Sequence, residues 1–168
     1  MSNIVFVFLL LLAAILLVGI TRLVKEKRRK RNEIKLARTY EQLLLRHRLA
    51  VDHSEIISER VIALDRRSQR LLFLDLNTTD KPEMCLSLTE VAAVKVVKEE
   101  AKDGSIQKVC LELRNKKKAI IHRFCFFSAE ADKLTALPSL WRRATQWKHR
   151  IEINRHLGNT RAEGEYVL

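Results

Sequence analysis

Apolar residues are spread unevenly along the chain, and their spacing changes three times. From Ile4 to Ile20 (IVFVFLLLLAAILLVGI) they are unbroken, and Leu23 and Val24 extend the stretch past Thr21 and Arg22. A helix needs about 20 such residues to cross hydrocarbon, so the pattern predicts a transmembrane anchor over residues 1–24. A cleavable signal peptide would place basic residues before the stretch and a small-residue site after it. Met1, Ser2 and Asn3 carry no basic side chain, and Thr21-Arg22-Leu23-Val24-Lys25 offers no such site, so an uncleaved anchor is expected.

Residues 25–53 contain no Gly or Pro and are rich in helix formers. Ile34, Ala37, Tyr40, Leu44 and His47 recur every three or four positions, which predicts a helix with one short apolar edge. Such a helix can be a stalk, a self-associating seam, or an element lying on lipid headgroups.

After Asp52 the period shortens to two. The runs Arg60 to Asp65 (RVIALD) and Arg70 to Asp75 (RLLFLD) flank Arg66-Arg67-Ser68-Gln69, the pattern of a hairpin with a four-residue polar turn. Met84 to Leu88 and Val91 to Glu99 read as further strands, and Lys102-Asp103-Gly104-Ser105 as a turn. Val109, Leu111 and Leu113 then alternate with Cys110, Glu112 and Arg114. After a polar turn over residues 115–118, Ile120, His122, Phe124 and Phe126 are expected on one strand face, and Ile121, Arg123, Cys125 and Phe127 on the other. Ser128 is expected to open a helix that Pro138 restarts, because proline suits a first helical turn. Leu137, Trp141, Ala144, Trp147 and Ile151 return to helical spacing, and residues 157–168 read as a flexible tail.

The fold class is therefore α+β: a transmembrane helix and a basic juxtamembrane helix, then six strands in an antiparallel sheet or partly open barrel closed by a C-terminal helix. The expected core comprises Val94, Val96, Val109, Leu111, Leu113, Phe124, Phe126, Trp141 and Trp147.

Charge adds a location. The chain carries +12, and residues 22–48 hold 11 Lys and Arg against three Asp and Glu, a balance of +8. Lys25, Lys27, Arg28, Arg29, Lys30 and Arg31 follow the apolar stretch directly, and basic residues beside a span are retained on the cytoplasmic side. The expectation is a single-pass protein with its N-terminus outside and its C-terminal domain cytoplasmic, in the inner membrane of a bacterial cell. Cys85, Cys110 and Cys125 lack C-x-x-C spacing and sit in apolar segments, which reads as reduced, buried thiols.

The order of elements over residues 54–156, with an aromatic-bearing helix at the end, resembles the pleckstrin-homology-like domains, including bacterial ones tethered to membranes. That family has seven strands where six are legible here. The resemblance implies that a closing-helix tryptophan, Trp141 or Trp147, packs into the barrel. It also implies that basic residues of the first hairpin, here Arg66, Arg67 and Arg70, contact lipid phosphates.

Catalytic signatures are missing. No G-x-G-x-x-G, P-loop, G-x-S-x-G or H-E-x-x-H occurs, and the five histidines do not combine with the cysteines at zinc-ligand spacing. His122 reads as a satisfied or surface histidine, and Asp65 and Asp75 as turn residues. No enzyme activity, metal or cofactor is expected. The candidate headgroup contacts are the juxtamembrane cluster, Arg66, Arg67 and Arg70, and Lys116, Lys117 and Lys118. The expected function is an interaction module for a protein partner or an anionic inner leaflet, with homo-oligomerisation open through the juxtamembrane helix. The alternatives are a membrane-tethered nucleic-acid binder, suggested by the pI near 10, and an enzyme with dispersed catalytic residues.

Overall fold

The computed structural model describes Thr21, Val24, Glu26, Lys27 and residues 30–78 and 82–164, the segment from 156 onward by its backbone alone. The chain divides into two compact units, Met1–Leu43 and Leu44–Leu168.

In the first unit the described residues are helical, and helix α1 runs over residues 30–47, its last turn opening the second unit. Its buried side chains are Leu36 and Leu43, two turns apart, whereas Ile34 is exposed, so the expected edge through Ile34 and Ala37 is displaced around the helix. Arg48 ends α1 in the left-handed region at φ 52°, and Leu49 N–H donates to the Leu44 carbonyl.

The span expected from Ile4 to Val24 lies outside the described residues, apart from Thr21 and Val24. Among the described residues no helix is long and apolar enough to cross a membrane. Charged side chains are frequent along α1, from Lys30 to Arg46, and along the closing helix, with Arg142, Arg143, Lys148, Arg150 and Glu152, a burden that hydrocarbon penalises. The expected single-pass anchor and inner-membrane placement are thus corrected: no described helix supplies a span.

Among its described residues the second unit holds seven strands in two antiparallel sheets. The first sheet has the order β1-β2-β3-β4, with β1 His53–Ile57, β2 Arg60–Asp65, β3 Arg70–Asp75 and β4 Glu83–Ser87. The second has the order β5-β6-β7, with β5 Ala93–Glu100, β6 Ile106–Arg114 and β7 Ile120–Ser128. Helix α2, Leu137–Gly164, closes the unit and continues through Gly158 into the expected tail. The expected single sheet or partly open barrel is thus replaced by two sheets that do not close on each other.

Three further expectations change. β1 is the strand the apolar pattern did not show; it joins β2 through a tight turn in which Ser58 takes φ 56°. Ser128 ends β7 instead of capping a helix, and the chain passes through a 3-10 turn, Leu134–Ala136, before α2 begins. A bulge on β7 lies between the pairs Val109↔Phe127 and Cys110↔Cys125. It breaks strict alternation, so that Phe126 and Phe127 are both fully buried.

The core lies between the sheets and under α2. Ile62, Leu64, Leu71 and Phe73 come from the first sheet, Val109, Leu111, Leu113, Phe124, Phe126 and Phe127 from the second, and Leu140, Ala144, Trp147 and Ile151 from α2. The α2 residues fall three and four apart, the stripe an amphipathic helix presents to a sheet. Trp147 is the buried tryptophan, while Trp141 and Val96 only flank the core. The Trp147 indole N–H donates to Glu55 on β1, and Arg143 pairs with the same carboxylate at 3.3 Å. A second tie joins β2 to the segment after β7. Arg60 is buried against Asp132 at 2.8 Å and also donates to the Cys125 carbonyl, and Asp132 accepts further bonds from Ser58 and the Ser128 N–H. These bonds pair the Arg60 and Asp132 charges inside the fold, where an unpaired one would be costly, although the Arg60 Nε is buried without a partner among the described residues.

Candidate functional site

The residues expected to meet lipid come from separate elements of the chain. Lys25, Arg28 and Arg29 lie outside the described residues, whereas Lys27, Lys30 and Arg31 are exposed on the first unit, Lys30 within 3.5 Å of Glu26. Arg66, Arg67 and Arg70 belong to the β2–β3 hairpin and Lys116, Lys117 and Lys118 to the β6–β7 turn, on different sheets. Arg66 bonds the His53 ring at 2.8 Å and Arg70 reaches the His47 carbonyl at 3.4 Å. Lys118 adopts φ 63°, held by its N–H to the Asn115 carbonyl at 2.9 Å, with its side chain in solvent.

Asp65 and Asp75 serve turns, as expected. Asp65 is buried and accepts the N–H groups of Ala50 at 2.8 Å and Ser68 at 2.9 Å. Burial pushes its carboxyl up, but these bonds outweigh it and hold the pKa below the ordinary value. Asp75 accepts the Asn77 N–H at 2.9 Å.

The cysteines require a correction. Cys110 and Cys125 are direct partners on β6 and β7 and form a disulfide, while Cys85 on β4 is free and half-buried. Their 15-residue separation is uninformative until the strands are paired; then the two Cβ atoms share one sheet face. Beside the disulfide, Glu112 is buried under Arg114 and Arg123, and Arg123 also pairs with Glu99. Burial raises the Glu112 pKa, and the two arginines more than offset it, leaving the carboxyl below its ordinary value.

Two cavities carry polar groups at apolar walls. The first is a groove of about 510 Å³ beside β5, lined by Lys98, Ile106, Leu137, Pro138, Trp141, Arg142 and Thr145. β5 pairs with β6 on one side only, so its other margin is unpaired among the described residues. On the core face of β5, Val94 is buried, Val96 half-buried and Lys98 exposed, so the apolar face gives way to a cation where the groove begins. The Lys98 ammonium lies 4.7 Å from the centre of the Trp141 ring, a cation–π contact. Pro138 lies in the first turn of α2, and Trp141 and Thr145 follow on its groove side, Thr145 tied to the Trp141 carbonyl at 3.1 Å. Helical spacing alone assigns Trp141 to the core. The one sequence signal for the groove is the replacement of valine by lysine at position 98 in the alternating run.

The second cavity, about 490 Å³, lies between the sheets and is lined by Phe73, Asp75, Thr78, Pro82, Met84 and residues 122–125. His122 is neither a surface nor a satisfied histidine, because its Nε2 is buried with no hydrogen-bond partner among the described residues. Burial lowers its pKa to about 4 against an opposing pull from Asp75, so the ring is neutral at pH 7. Among the described residues no three His, Cys, Asp or Glu side chains converge as a metal site. No family model, no curated protein and no solved structure matches this chain.

Proposed function

We propose that this chain is a non-catalytic interaction module of pleckstrin-homology-like build that takes an extended, acidic segment of a partner protein along β5. The build is supported by four and three strands closed by a helix whose Trp147 fills the core; β1 supplies the seventh strand that the sequence pattern lacks. The binding mode rests on one observation: β5, whose other margin is unpaired among the described residues, contributes Lys98 to an apolar groove that Arg142 also lines. An added strand satisfies the free N–H and C=O groups of such a margin, and side chains entering the groove select the sequence. The cationic rim favours acidic residues and speeds their encounter.

Selection of random linear peptides by display on the full chain tests this. The wild type should enrich peptides that combine acidic residues with an aromatic or aliphatic anchor. Trp141→Ala and the pair Lys98→Glu with Arg142→Glu should lose that enrichment. Equal enrichment by wild type and variants, or none by either, refutes the reading.

A further inference from the structure

The β5 groove presents two cations that have no carboxylate partner among the described residues. Arg143, next to Arg142, pairs with Glu55 at 3.3 Å, and Lys108 lies 4.0 Å from Glu99. Lys98 and Arg142 are both exposed and make no such pair among the described residues; Lys98 rests on the Trp141 ring instead. Ile106, Leu137, Pro138 and the half-buried Trp141 line the same groove, so a ligand that answers all of it carries carboxylates beside an aromatic or aliphatic side chain. The chain contains such a segment. Residues 163–168 read Glu-Gly-Glu-Tyr-Val-Leu: two acidic residues and no basic one, followed by an aromatic and two aliphatic side chains, in a chain whose total charge is +12.

We infer that residues 163–168 of one copy of this chain occupy the β5 groove of a second copy, with Glu163 and Glu165 answering Lys98 and Arg142 and Tyr166 set against Trp141. The inference rests on the reading that the groove takes an acidic segment, and it names the chain itself as the partner. Length excludes the copy's own groove. Helix α2 ends at Gly164, and from Thr145, the groove residue furthest along the helix, to that end it rises about 28 Å at about 1.5 Å per residue. Residues 165–168 extend at most about 14 Å, at roughly 3.5 Å each, so they cannot return to it. Gly164 is also the residue type at which a chain most readily leaves a helix, and Tyr166 and Val167 favour the extended backbone that an added strand requires.

Photocrosslinking between copies of the full chain tests this. A copy carrying Tyr166→p-benzoylphenylalanine is mixed with an equal amount of isotope-labelled chain and irradiated, and the joined peptides are read by mass spectrometry. Position 166 of the unlabelled copy should be joined to labelled residues 137–145 or 98–106. Lys98→Glu with Arg142→Glu in the labelled copy should lower that yield about tenfold or more, because both groups are exposed and their reversal repels the two glutamates. Trp141→Ala in the labelled copy should lower it as well, and an excess of a synthetic peptide of residues 161–168 with blocked ends should compete it away. Crosslinks confined to one copy, crosslinks that fall outside the groove, or a yield that both groove variants leave unchanged overturns the inference. The display selection reads the groove without position 166, so if acidic peptides are still enriched when the crosslinks fail, the inference falls alone and the reading beneath it stands.

Discussion

In the first sheet, β2 and β3 bury both of their faces with apolar side chains. Ile62, Leu64, Leu71 and Phe73 enter the main core, while Val61, Ala63, Leu72 and Leu74 on the opposite face are equally inaccessible. In the second sheet, β6 sends Val109, Leu111 and Leu113 into the core, but its other face carries the Cys110–Cys125 disulfide and Glu112 between two arginines. The first sheet is held chiefly by apolar packing, whereas the second adds a disulfide and an ionised cluster at Glu112. Both cavities involve the second sheet, the groove through Lys98 of β5 and Ile106 of β6 and the inter-sheet cavity through residues 122–125 of β7.

The sharpest way to break this contrast is to truncate both faces of β3. Leu71→Ala and Leu72→Ala should each cost about 2–5 kcal/mol in urea unfolding of the full chain, because both remove a fully buried leucine. A cost below about 1 kcal/mol for Leu72→Ala would mean that the opposite face is not a true interior.

Removing the disulfide comes next. The double variant Cys110→Ala/Cys125→Ala should lose about 3 kcal/mol, the chain-entropy value for a loop of this size. A reductant should destabilise the wild type by a similar amount and leave the double variant unchanged.

His122 sharpens the contrast through pH. Its folded pKa, about 4, lies below the unfolded value near 6.5. The unfolded state therefore binds more protons in that window, and stability falls as the pH drops through it. Between pH 7 and 5 the loss should be about 2 kcal/mol. Aspartate and glutamate side chains with ordinary pKa values remain mostly ionised in that interval, so His122→Phe should flatten the profile. Glu112 and Asp65, whose pKa values are depressed, add their own loss only at lower pH, below their unfolded pKa values. The smallest effect belongs to the β6–β7 turn. Lys116, Lys117 and Lys118 are exposed, and replacing all three by Ala should move stability by no more than about 0.5 kcal/mol.

Much of the scaffold was legible because the first hairpin obeys simple rules. Two apolar runs separated by Arg66–Gln69 located β2 and β3 to the residue. β1 was not legible, since His-Ser-Glu-Ile-Ile is short and its turn contains no glycine; it becomes a strand by pairing with β2. The Phe126 and Phe127 pair misled because a bulge sends both inward, and bulges leave no mark on alternation. The disulfide and the His122 cavity depend on register and on the distance between sheets, which no local spacing encodes. Trp141 and Trp147 carry the same periodic signal, yet only the one facing Glu55 is interior. The other, beside Lys98, became the wall of the groove.

Amide hydrogen exchange on the full chain, with and without a display-selected acidic peptide, tests the β5 groove most directly. Added-strand binding predicts new protection at β5 amides that face the unpaired margin, together with slower exchange at the start of α2 and little change in β2 and β3. Protection confined to the first sheet or to the basic turns, with β5 exchanging as before, would contradict it.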